Sequence, residues 1–100
     1  MGIIGLMRTL AVELGPHGIR ANTVCPGAVA GPRIDDVIAR QAATRGISLD
    51  EARAAFTAAS PLSRLVGADE VAAACAYLAS DAASSVTGED LNVSAGTVMY

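Results

Sequence analysis

Two stretches of this sequence alternate as a strand requires, residues 19–25 and 90–94, and the long segment between them reads as helix and loop. In the first stretch Ile19, Ala21, Thr23 and Cys25 fall on one side, and Arg20, Asn22 and Val24 on the other. Strands so far apart in sequence and joined through helices are expected to pair in parallel, as part of an alternating α/β pattern. Parallel sheets are covered on both faces, whereas two strands alone leave edges and faces open. The pattern therefore predicts an α/β chain, half of an alternating α/β pattern. It has two parallel strands plus about four helices and is incomplete as a stand-alone domain.

The helical segments carry their own punctuation. Residues 1–14 place Ile3, Met7, Leu10 and Leu14 at helical spacing, while Ile4, Leu6, Ala11 and Val12 make other faces apolar too. A helix apolar almost all round is expected to be buried on more than one side. Gly15-Pro16-His17-Gly18 stops it. Residues 34–59 read as a pair of helices, broken at Gly46 and restarted by a Ser48/Glu51 capping box. Residues 69–79 form the last helix, with Asp69 and Glu70 at its positive end and Val71, Ala74, Cys75 and Leu78 on one face.

Composition narrows the function. A hydrophobic share of 52% over 100 residues is high for a small domain, which suggests apolar faces meant for neighbours. Net charge is −3 and the seven arginines are scattered without a single lysine, so no nucleic-acid surface is expected. No apolar stretch is long enough for a membrane span, and Arg8 and Glu13 interrupt the N-terminal apolar run that resembles a signal segment. A cytoplasmic location is the expectation. Cys25 and Cys75 lack metal or redox spacing and are read as buried thiols, and one histidine gives no metal cluster.

The pairing of "HGIRANTVCPG" (17–27) with "YLASDAASSVTGEDLNV" (77–93), far downstream, resembles the C-terminal part of the short-chain dehydrogenase/reductase family, which implies the C-terminal part of a Rossmann-type doubly wound parallel sheet. The matching pieces, 2–29 and 61–93, span nearly the whole chain. By that resemblance the first helix continues one bearing a catalytic Tyr-x-x-x-Lys pair, with Met1 at the position after the lysine. The catalytic serine, tyrosine and lysine and the glycine-rich phosphate turn are then expected upstream, so no catalytic residue is assigned here. Consistent with this, the sequence holds no G-x-G-x-x-G and no lysine.

The resemblance makes residues 26–33 the nicotinamide-side loop, with Pro26, Gly27, Ala28, Val29 and Gly31 as cofactor-binding positions for NAD or NADP. Pro26 sets φ and Gly27 removes a side chain, which suits close approach to a flat ring. The backbone around Val29 is expected to hold the nicotinamide carboxamide. Many members carry threonine where this chain has Gly31, and Asp-Gly-Gly where it has Ser94-Ala95-Gly96. Residues 34–59 correspond to the substrate lid. The parent is expected to act on a small alcohol or carbonyl substrate and to form a homo-oligomer, a dimer or tetramer, through its last helix and strand.

Other polar residues carry less. Tyr77 has no lysine four positions on, His17 has no orienting carboxylate nearby in sequence, and Ser60, Ser63 and Ser94 lie in no nucleophile elbow. Asn22 is read as bonding neighbouring loops, and Arg64 as pairing with Asp69 or Glu70. The chain alone is expected to be catalytically inactive and to bind cofactor weakly or not at all. Two alternatives stand beside this: a non-catalytic module that pairs with full-length family subunits, and a truncated gene or misplaced start.

Overall fold

The computed structural model describes residues 2–99, so the expected helical start at Met1 lies outside the described residues. Among these the elements run α1 (Gly2–Leu14), β1 (Thr23–Pro26), α2 (Pro32–Arg45), α3 (Leu49–Thr57), α4 (Ala68–Ala79) and β2 (Asp90–Val93). Single 3-10 turns at Gly15–His17 and Asp81–Ala83 follow α1 and α4. β1 and β2 lie side by side in parallel, from Thr23 opposite Asp90 to Pro26 opposite Val93. The expected α/β architecture of two parallel strands and four helices is therefore what the chain forms.

β1 is shorter and later than the expected 19–25. The partner segment bends at Gly88, whose φ is +72°, so a regular ladder cannot begin before Thr23. Side chains tie residues 20–22 down instead. Ala21 N–H donates to Thr87 Oγ1 (3.1 Å), and Gly88 N–H donates to the Ala21 carbonyl (2.8 Å). Asn22 donates to the Val86 carbonyl (2.8 Å) and accepts from Glu89 N–H (3.1 Å), the loop-bonding role read from the sequence. The Arg20 guanidinium donates to the carbonyls of Leu78 (2.7 Å), Ser80 (3.3 Å) and Val86 (3.2 Å), tethering the end of α4 beside the entry to β1.

At its other end β1 includes Pro26, expected in the loop. Thr23 and Gly27 N–H groups donate to the Glu89 and Val93 carbonyls, so alternate residues face β2. Pro26 falls between them, where an N–H would point away from β2, and its missing donor costs the ladder nothing.

The inward row of α1 differs by one position from the expected Ile3, Met7, Leu10 and Leu14. Ala11 is buried and Ile4, Met7, Leu10 and Leu14 are half-buried, while Ile3 is 69% exposed. Arg8 pairs with Asp90 at 2.7 Å, and the small Ala11 side chain lies against Gly88, so α1 is anchored at the start of β2. Cys75 is exposed and Cys25 half-buried, contrary to the expectation of two buried thiols. The inward face of α4 narrows to Val71, Ala74 and Leu78, and Cys75 turns outward beside it.

α2 begins at Pro32 rather than residue 34, because a proline in the first helical position has φ preset and no N–H to lose. Gly46, with φ +66°, ends it. The Ser48/Glu51 capping box forms as expected: Glu51 N–H donates to Ser48 Oγ (3.1 Å) and Ser48 N–H to the Glu51 carboxylate (3.2 Å). α2 and α3 enclose their own core of Ile38, Ala42 and Ala52, flanked by Ile34, Ile47 and Phe56.

The radius of gyration is 16.9 Å, against about 13 Å for a compact domain of this length. The long dimension is 56 Å and the short ones 26 and 22 Å. This chain is elongated because the helix pair and the sheet each bury their own apolar groups.

Ile38 is 2% exposed and central to that helix pair. Ile38→Ala is expected to lower stability by about 2–5 kcal/mol, read as an earlier denaturation midpoint with loss of helical circular dichroism from α2 and α3.

Candidate functional site

In parallel α/β sheets, ligands bind beyond the carboxyl ends of the strands. Here that end is occupied by the loop from Gly27 to Gly31, which leaves β1 and enters α2. Two contacts fix its path. The first is a close approach: a Cβ on Gly27 would sit 2.9 Å from Ser94 Cα, so only glycine lets the loop lie against the chain leaving β2. Part of what was read as room for a flat ring is thus filled by the protein's own backbone.

The second is an isolated parallel bridge between Val29 and Val66. Val66 N–H donates to the Ala28 carbonyl (2.9 Å), and Ala30 N–H donates to the Val66 carbonyl (2.7 Å). Successive peptide groups of extended chain face opposite ways. Val29's own N–H and C=O therefore face away from Val66, and they take no partner among the described residues. One donor and one acceptor side by side match a primary carboxamide, which offers one of each.

Gly31 has φ +150° and ψ −177°, a region open essentially to glycine. A residue with a side chain would be strained at this position. α2 starts without a side-chain cap.

Val66 is held in turn by a charged clamp. Arg64 donates to both carboxylate oxygens of Glu70 (2.6 and 2.9 Å), and Glu70 also accepts from Gly67 N–H (2.9 Å). Of the two partners expected for Arg64, the structure selects Glu70. The Arg64 hydrogen bonds, with that from Gly67, hold the Glu70 carboxyl down at about 2, against an ordinary 4.5.

A cavity of about 430 Å³ opens beside the loop, lined by Pro26, Gly27, Ala28, Val29, Arg33, Ile34 and Val37. That size lies within the ordinary range for small-molecule sites. All the expected cofactor positions except Gly31 line it. Sequence reasoning missed Val66 and Ser94, because each acts through a contact made only when distant segments meet, and Arg33, which carries no local mark.

The remaining polar candidates lie elsewhere or are structurally engaged. The Arg20–Leu78 bond puts the C-terminal turn of α4, and with it Tyr77, at the entry end of β1, opposite the loop. His17 is exposed in the turn before β1. Buried Ser60 donates to the Ala95 carbonyl (2.5 Å), and buried Ser94 accepts from Val98 N–H (3.2 Å). No group of metal-binding side chains forms among the described residues, and none of their helices is long and apolar enough to cross a membrane.

Residues 1–98 match the family described as enoyl-(acyl carrier protein) reductase. The chain belongs to the short-chain dehydrogenase/reductase family. It is 42% identical over 98 residues to a 3-oxoacyl-[acyl-carrier-protein] reductase of Salmonella typhimurium, covering 98% of this chain and 36% of that protein. Among solved structures, a short-chain dehydrogenase family protein from Francisella tularensis superposes with TM-score 0.89 at 33% identity, covering 96% of this chain and 40% of the other. An actinorhodin polyketide ketoreductase solved with NADPH gives 0.86 at 37% identity, covering 99% and 38%. The chain thus spans well under half the length of these relatives.

Two outcomes follow from this geometry. Gly27→Ala is expected to lower stability by about 1–3 kcal/mol, because backbone rather than a mobile side chain must yield; thermal melts of the pair measure it. A carboxyl held below its unfolded value stabilises fully above pH 4.5, and that contribution fades as pH falls through about 2. Carboxyl ¹³C NMR should show Glu70 titrating near 2, and Arg64→Ala should return it toward 4.5.

Proposed function

We propose that this chain is the nicotinamide-side portion of an NAD(P)-dependent oxidoreductase that interconverts an alcohol and a carbonyl. The observation that carries the reading is Val29: an N–H and C=O pair without a partner among the described residues, fixed by the Val66 bridge and facing away from it, in a loop that lines a ligand-sized cavity. When bound, the nicotinamide supplies or takes up the hydride. The chain's own part is to hold the carboxamide through Val29, with Pro26, Gly27 and Ala28 lining the site and Gly31 turning the chain into α2. Holding the carboxamide fixes which ring face meets the substrate. By this reading α2 and α3 are the lid, with Ile34 and Val37 of α2 on the cavity wall.

The chain alone is proposed to be inactive, since it holds no lysine and Tyr77 stands at the wrong end of the strands. Binding of dinucleotide by the chain alone is proposed to be weak. The relatives' names support the reaction class: a 3-oxoacyl reductase and a polyketide ketoreductase both act at a carbonyl. A homo-oligomer is proposed for the whole protein. Ile3, Leu6 and Val12 lie exposed on α1 and supply apolar surface for it, and they equally suit pairing with a complete family subunit.

The test is a hybrid in which this chain replaces the matching segment of the Salmonella reductase. The hybrid is expected to bind dinucleotide and reduce a 3-oxoacyl substrate, and the 100-residue chain to give no turnover. Turnover by the chain unaided, or a folded hybrid that binds no dinucleotide, would sink the reading.

A further inference from the structure

The cavity beside the loop has one charged lining residue, Arg33; the rest of its wall is Pro26, Gly27, Ala28, Val29, Ile34 and Val37. Arg33 makes no ion pair or hydrogen bond among the described residues. Arg53 pairs with Asp35 at 3.0 Å and Arg64 with Glu70, and Arg40 and Arg45, unpaired among the described residues, do not line this cavity. Asp36 stands one turn along the same helix but forms no ion pair with Arg33. Local helix stability does not account for Arg33 either. It sits in the first turn of α2, where a cation opposes the helix dipole and a carboxylate would be favoured. Its stem adds little to the core, since the residue is exposed. A guanidinium with free donors at the rim of an apolar hollow is suited to a planar anion.

We propose that Arg33 determines substrate specificity by contacting an anionic group, a carboxylate in the simplest case, carried by the substrate. This rests on the reading of the loop as the nicotinamide-side wall, because it makes the cavity the space in front of the reacting ring. An apolar wall formed by Ile34 and Val37 then receives the carbon skeleton, and Arg33 receives the acid.

The same donors would also suit the pyrophosphate of a dinucleotide, so the test separates the two sources. The full isotope-labelled chain is titrated, by NMR of the Arg33 Nε–H and the amides of residues 27–37, with 3-oxobutanoate, its methyl ester and inorganic pyrophosphate. The acid is expected to shift these signals with at least about tenfold higher affinity than the ester. Arg33→Gln should abolish that preference and Arg33→Lys should keep most of it; neither change touches the core, so both should fold. Equal response to acid and ester overturns the proposal, and so does an Arg33→Gln chain that still prefers the acid. Tenfold tighter binding of pyrophosphate than of the acid overturns it too, by giving Arg33 to the cofactor. If the hybrid binds no dinucleotide but Arg33 still selects the acid, the cofactor reading fails while the anion contact stands.

Discussion

The arrangement depends on a parallel pairing between two four-residue strands, with three helices lying between them in the chain. Parallel pairs of that length are weak on their own, and backbone contacts extend this one at both ends. Ahead of the ladder, Ala21 and Asn22 bond to residues 86–89; behind it, Gly27 N–H reaches the Val93 carbonyl. The second extension matters most for function. It forces the chain leaving β1 against the chain leaving β2, and only a residue without a side chain fits there. The loop's position is thus a consequence of strand register.

Register alone would leave the loop free beyond Gly27. The Val29–Val66 bridge removes that freedom, and the Arg64–Glu70 pair stiffens the segment that supplies Val66. An exposed ion pair contributes little to global stability. Its use here is local, since the same carboxylate ties Gly67 N–H and so fixes the turn from Val66 into α4. Backbone groups at Val29 are oriented by a chain of contacts that passes from α4 through the connector to the loop. None of these contacts requires a catalytic side chain.

Much of this was readable from the residues, and what was missed has a common cause. The capping box at Ser48 and Glu51, the glycine stop at Gly46 and the parallel pairing are encoded within a few positions or by simple alternation, and each forms as expected. The start of β1 was misplaced because residues 19–22 alternate like a strand, yet Gly88 in the partner denies them a ladder. Cys75 was misassigned because an alanine-rich helix gives a shallow contrast between its faces, so one position of rotation is hard to read from spacing. In the site, Pro26 and Gly27 announce a tight turn by type. Val66 and Arg33 carry no local mark, since one acts through its peptide group and the other through the absence of a partner.

The hydrophobic surplus also acquires a location. Alanines dominate the buried set, and among the large hydrophobic residues described only Ile38 and Val66 are buried. Ile3, Leu6 and Val12 on α1, together with Leu49, Leu62 and Tyr77, remain 47–79% exposed. Scattered exposed leucines are ordinary, but Ile3 and Leu6 are one turn apart on the flank of the α1 row that lies against the start of β2. Helix α1 therefore carries apolar surface, at Ile3, Leu6 and Val12, that stays exposed among the described residues. The helix pair α2–α3 is the reverse case: its small core of Ile38, Ala42 and Ala52 is made by the two helices themselves. The contrast divides the chain, with a helix pair carrying Arg33 on one side of the loop and a helix with exposed apolar surface on the other.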